Sequence, residues 1–115
     1  MAARLFSTPE VATLTGFTFR MLDGYARDRR CVALWPTYQS QGSGHARRYT
    51  AADVERLLRA AALLQAMAPI VHGTHGPSPQ FLAQFVEDTE GVPAPWTVPL
   101  PNGSKLLVAE TTGGA

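Results

Sequence analysis

The stretch from Phe6 to Leu57, FSTPEVATLTGFTFRMLDGYARDRRCVALWPTYQSQGSGHARRYTAADVERL, holds three helix starts in close succession. Ser7-Thr8-Pro9-Glu10 has the S-x-x-E form in which a cap hydroxyl and a glutamate satisfy each other's backbone N–H groups. Pro9 falls in the first turn, where a missing N–H costs nothing. Val11, Ala12 and Leu14 give this helix its apolar face, and Gly16 stands where a helix ends in a left-handed residue. Thr18 caps a second helix. Its apolar positions Phe19, Leu22 and Ala26 recur at three and four, predicting one buried face, with Arg20, Tyr25 and Arg27 free to point away from it. The turn between the two, Thr15-Gly16-Phe17-Thr18, has the short length and the glycine of a helix-turn-helix.

From about Asp28 the helical period is lost. Val32, Leu34 and Trp35 predict a short strand ending at Pro36, Gln39 to Gly44 a polar loop tip, and Ala46 to Tyr49 a returning strand. Thr50-Ala51-Ala52-Asp53 is a further capping signature. Behind it Val54, Leu57, Leu58, Ala61, Leu64 and Met67 trace a helical stripe that stops at Pro69. Helix, turn, helix, basic wing, helix is the order by which a small protein sets one helix in a DNA groove and a loop on the backbone beside it.

Residues 1–68 thus form a first unit, with the fold class mainly α with a small β component. Pro69 to Ser78, PIVHGTHGPS, is a linker by composition. Ser78-Pro79 restarts a helix carrying Phe81, Leu82, Phe85 and Val86 at helical spacing. Trp96 to Leu100 and Ser104 to Glu110 flank Pro101-Asn102-Gly103, a strong hairpin signal, and residues 111–115 form a mobile tail. A lone hairpin is marginal in water, so the apolar residues of 79–110 must pack on something. The third helix is one candidate and a second copy of the chain is the other. The glycine-rich linker and the acidic charge of this part favour the second copy, and so a homodimer or another protein partner held through the C-terminal region.

The net charge of +1 divides unevenly: nine Arg against five acids in residues 1–68, and Lys105 alone against four acids in residues 69–115. A basic first part suits a polyanion, because neutralising phosphates supplies most nucleic-acid affinity. Hydrophobic content of 45% and charged content of 17% fit a folded, water-soluble chain without a membrane span, and the N-terminus reads unlike a signal peptide. The single Cys31 excludes an intramolecular disulfide and fits a reducing cytoplasm. With Cys31 alone and only His72 and His75 on the linker, the four ligands of a structural zinc site are not assembled. No triad spacing, P-loop or Rossmann glycine pattern appears, so neither a catalytic role nor a cofactor is expected.

The candidate interface residues are Thr18, Arg20, Tyr25 and Arg27 on the second helix and Arg47, Arg48 and Tyr49 before the third. Arg20 sits in a first helical turn, where bases are touched. Tyr25 can donate to a phosphate or fill part of the core. Arg47 and Arg48 are neighbours in an extended segment, so one can face DNA while the other stays in solvent or pairs with an acid. Gly42 and Gly44 would let the loop backbone approach a groove closely.

Phe6 to about Leu64 resembles the DNA-binding domain of the MerR family of transcriptional regulators. The residues that carry the resemblance are Ser7-Thr8-Pro9-Glu10-Val11-Ala12, then Arg20, Leu22 and Tyr25, then Gly44, Arg47, Tyr49 and Thr50, with Asp53 in the next helix. It implies a winged helix-turn-helix binding double-stranded DNA in the cytoplasm, at the nucleoid. Arg20 would contact DNA from the recognition helix, Tyr25 a phosphate, and Arg47 the minor groove or its edge. Asp23 stands where many members have arginine, and Gly24 where an aromatic is common. Pro69 ends the third helix before any long dimerisation helix, so the chain resembles the short relatives without a sensor: small regulators, phage excisionases and small terminase subunits. A protein-interaction module on a winged scaffold is the reading from another class.

Overall fold

The computed structural model describes residues 4–39, 47–68, 77–100 and 103–110. The linker residues 69–76, the loop tip 40–46 with Gly42 and Gly44, His72 and His75, Asn102 and the tail 111–115 lie outside the described residues. The fold is mainly helical, with one two-stranded antiparallel sheet.

Helix α1, Thr8–Thr15, starts as its sequence requires. The Ser7 hydroxyl accepts from the Glu10 N–H, the Glu10 carboxylate accepts from the Ser7 N–H, and Gly16 closes the helix at φ 81°. Two residues later Thr18 accepts from the Met21 N–H and opens α2, Phe19–Arg27. Helix α3, Ala51–Met67, opens on the reciprocal Thr50–Asp53 pair. The buried Asp53 carboxylate also accepts from the Thr37 N–H at 2.7 Å, which ties the segment after α2 to the start of α3.

Between α2 and α3 one expectation is overturned. Val32, Leu34 and Trp35 form no strand: Arg29–Leu34 is a 3-10 helix with a kink at Cys31. Asp28 caps it by accepting from the Arg30 N–H, and the Trp35 indole N–H donates back to the Asp28 carbonyl, so local bonds close the segment on itself. The returning segment is extended. Tyr49 pairs antiparallel with Phe6 and Arg48 with Tyr38, as isolated bridges. Tyr49 itself is buried.

The C-terminal part packs on the same chain. Helix α4, Pro79–Asp88, capped by Ser78, lies against the 3-10 helix and α3. Strands β1, Trp96–Pro99, and β2, Lys105–Val108, pair with Trp96 opposite Val108, and β2 lies on α3. The Leu100 N–H donates to the Ser104 carbonyl, so by alternation Pro99 faces the open edge, where no N–H is required. Leu82, Phe85, Val86, Trp96, Val98 and Val108 join Val11, Leu22, Leu34, Leu57 and Leu63 in one core. Most of the apolar set thus packs within the chain, on the 3-10 helix and α3, rather than waiting for a second copy, while Phe81 stays exposed. Helix α3 is buried on nearly all sides, Ala60, Ala61, Ala62 and Leu63 included.

Arg59, only 4% exposed, joins the two parts. Its guanidinium donates to the Val86 carbonyl at 2.9 Å, the Thr89 hydroxyl at 2.7 Å and the Glu90 carboxylate at 2.6 Å, and it pairs with Glu55 at 2.8 Å. A cation is thereby placed at the C-terminal end of α4, the negative end of the helix dipole. Glu90, two residues beyond α4, is a partner of this buried arginine.

Candidate nucleic-acid interface

An α-helix turns about 100° per residue. Around α2 this puts Phe19, Asp23, Arg27, Arg20 and Gly24 on one arc of about 140°, and Leu22, Tyr25 and Ala26 on the opposite side. Burial follows that division: Leu22, Tyr25 and Ala26 are core residues, whereas Phe19, Arg20, Gly24 and Arg27 are exposed. Two assignments change. Phe19, expected in the buried face, is 60% exposed, because it lies at the edge of the arc in the first turn. Tyr25 takes the core alternative, its ring edge-on to Phe17 at 5.4 Å between centroids, and burial pushes its phenol up to about 12. Burial raises the Tyr49 phenol as well. Thr18 spends its side-chain oxygen on the cap of α2.

Asp23 sits on the open arc between Phe19 and Arg27. It accepts from Arg47 Nη1 at 2.8 Å and from Arg27 Nε at 3.0 Å, and these bonds hold its carboxyl below the usual carboxylate range, Arg47 first. Arg47 also donates to the Gln39 side-chain carbonyl, and the Gln39 amide donates to the Ala26 carbonyl near the end of α2. Asp23 and Gln39 thus clamp the segment before α3 onto α2. The consequence for Arg47 is direct: its side chain is 13% exposed and committed to the protein, so the free cation of the pair is Arg48. Arg48 shares its side of the segment with the exposed Tyr38.

Among the described residues Arg20, Arg29 and Arg48 pair with no acid, whereas Arg30 is held by Asp28 and Arg4 by Glu10. Arg27 binds Asp23 through Nε, and its terminal nitrogens bond to none of the described residues. The side of α2 away from the core is therefore an arc of guanidinium groups around one neutralised carboxylate, with an exposed aromatic ring at its start and a bare glycine at its edge. Such a surface can donate to phosphates and to the acceptor edges of bases.

No protein-family model, curated protein or solved structure matches the chain.

Two further features frame this surface. Cys31 is buried, and burial raises its thiol to about 11, which keeps it protonated at neutral pH. An open groove of about 360 Å³ lies between α4 and β1, walled by Phe81, Phe85, Val92, Trp96 and Val98, with Asp88 as its ionisable group. Among the described residues no three His, Cys, Asp or Glu side chains are grouped to hold a metal, and no helix is long and apolar enough to cross a membrane. Sequence reasoning missed Gln39 and Arg59. The signal for Arg59 was present: it is an arginine inside the alanine-rich apolar stretch of α3, four residues after Glu55.

Proposed function

We propose that this chain is a non-catalytic protein that binds double-stranded DNA through a winged helix-turn-helix of the MerR type. In this reading α2 enters the major groove with Arg20 and Arg27, and Arg48 reaches the backbone beside it. The observation that carries the proposal is the outward arc of α2. It follows a three-residue glycine turn, presents unpaired Arg20, and is opposed by a fully buried face. A helix with its side chains is about 10–12 Å across and the major groove about 12 Å wide. The use is transcriptional regulation at the nucleoid. An excisionase or a DNA-packaging factor would use the same surface, and the sites selected from a genome would tell them apart. The test is fluorescence anisotropy of full-length protein with labelled random duplex at increasing salt. Affinity is expected to fall steeply as counterions compete for phosphate. Absence of duplex binding at low salt would overturn the proposal.

The groove between α4 and β1 favours a second reading, in which the C-terminal part holds a protein partner. Phe81 and Val92 are exposed at its mouth, and an apolar opening beside Asp88 suits a basic, apolar segment. Phe81→Glu should abolish such binding and leave duplex affinity unchanged.

A further inference from the structure

We infer that Phe19 reads the 5-methyl group of thymine, beside a guanine taken by Arg20; the inference rests on the DNA-binding reading above. Phe19 is 60% exposed at the first position of α2, and among the described residues its ring has no aromatic partner, whereas Phe17 packs on Tyr25 and Phe85 on Trp96. Exposed apolar residues occur singly on this surface, and what sets Phe19 apart is the guanidinium groups that share its arc.

The surroundings fix what ligand would cover the ring. Arg20 is the next residue, about 100° around the helix and about 1.5 Å along it. Arg27 lies on the same arc with terminal nitrogens that bond to none of the described residues, and Asp23 is neutralised by two arginines. An apolar partner, protein or membrane, would have to desolvate those guanidinium groups beside the ring. A polyanion satisfies them. Gly24 lies on the same arc, and among the described residues a Cβ there would meet nothing within 4 Å, so the glycine leaves room for a close approach by a ligand.

Within a major groove, a ring without donor or acceptor has one apolar feature to recognise. Guanine and adenine present N7 with O6 or an amino group, cytosine presents an amino group, and thymine presents O4 with its 5-methyl group. The fork of Arg20 matches guanine O6 and N7. Adjacent positions at the start of one helix reach adjacent base pairs, so the recognised step joins a thymine to a guanine.

The experiment uses duplexes selected from a random pool by full-length protein, compared with the same duplexes in which each thymine in turn is replaced by deoxyuridine. Loss of one methyl contact is expected to weaken wild-type binding by roughly three- to tenfold at one position and little elsewhere. Phe19→Ala should bind the thymine duplex as weakly as wild type binds the deoxyuridine duplex, and should no longer distinguish the two. Because Phe19 is exposed, the variant should keep the wild-type circular dichroism and melting profile. Wild-type protein that binds duplex DNA but ignores every thymine-to-deoxyuridine change would overturn the inference and leave the DNA reading standing. A Phe19→Ala variant that still discriminates would overturn it as well. Self-association of wild-type protein that Phe19→Ala abolishes would assign the ring to a second copy instead. Failure to bind any duplex would remove the DNA reading itself.

Discussion

At the scale of single residues, the decisive one is Asp23. A carboxylate on the surface proposed to meet phosphate would repel that ligand unless its charge were matched. Arg27 and Arg47 match it, at 3.0 and 2.8 Å. The pairing draws two cations away from an incoming anion, and it also fastens the segment before α3 to α2. The first effect is electrostatic and direct. The second is worth little, because a partly exposed pair contributes less than about 1 kcal/mol. Asp23→Asn is therefore expected to bind random duplex several-fold more tightly at low salt, with a steeper salt dependence and slight loss of stability. Weaker binding by the variant would refute this and show that the carboxylate serves DNA by holding Arg47 in place. The pH dependence has a definite sign. Its folded-state value lies below the ordinary 3.8, so Asp23 contributes stability above that pH and loses it as pH falls further. Acid titration of wild type should show that loss, and Asp23→Asn should lack this part of it.

At the scale of elements, α2 carries a cost that its own fold does not explain. Gly24 is inside the helix, where glycine is less favourable than alanine by about 0.5–1 kcal/mol, and among the described residues nothing occupies the space above it. Gly24→Ala should raise stability by about that amount in urea unfolding, yet weaken duplex binding by holding the helix back from the groove. A stabilised variant with unchanged affinity would show that the backbone of α2 is not closely approached. The elements also show which signals a sequence carries. Ser7, Thr18, Thr50 and Ser78 all cap helices as read, because capping is settled within four residues. The segment 29–34 was misread because Val32, Leu34 and Trp35 imitate alternation, while the Asp28 cap and the indole bond that make a 3-10 turn are contacts of two and seven residues. Phe19 fits a helical period and still lies outside the core, since period gives spacing and not the width of the buried arc. The clamp of Arg47 on Asp23 spans 24 residues and left no local trace. The burial of α3 on both sides was legible in Ala60-Ala61-Ala62-Leu63, which is apolar around the whole helix, and the reading of a single stripe passed over it.

At the scale of the molecule, the question is whether residues 1–68 stand alone. A basic DNA-binding unit joined by a glycine-rich linker to an acidic appendage is the picture that charge suggests, yet burial contradicts it. Leu34, Leu57 and Leu63 share a core with Leu82, Val86 and Val108, and Arg59 is enclosed by the carbonyl of Val86, the hydroxyl of Thr89 and the carboxylate of Glu90. Removing residues 69–115 would expose that apolar surface and strip the partners beyond α3 from a buried cation. The expected result is that the full chain unfolds in one cooperative urea transition, followed identically by tryptophan fluorescence and circular dichroism, while a chain ending at Ala68 shows a weak transition or none. Arg59→Ala should keep the single transition and lower stability by about 2–3 kcal/mol, the scale of lost hydrogen bonds to a charged group. Because Leu82, Phe85, Val86, Trp96, Val98 and Val108 are already buried within the chain, full-length protein should sediment as a monomer at tens of micromolar in the absence of DNA. A stable chain ending at Ala68 together with a full-length dimer would restore the two-unit picture, with the C-terminal part free to pair between copies. A cooperative monomer would make α4 and the hairpin part of what holds α2 in position, and so part of any interface that α2 presents.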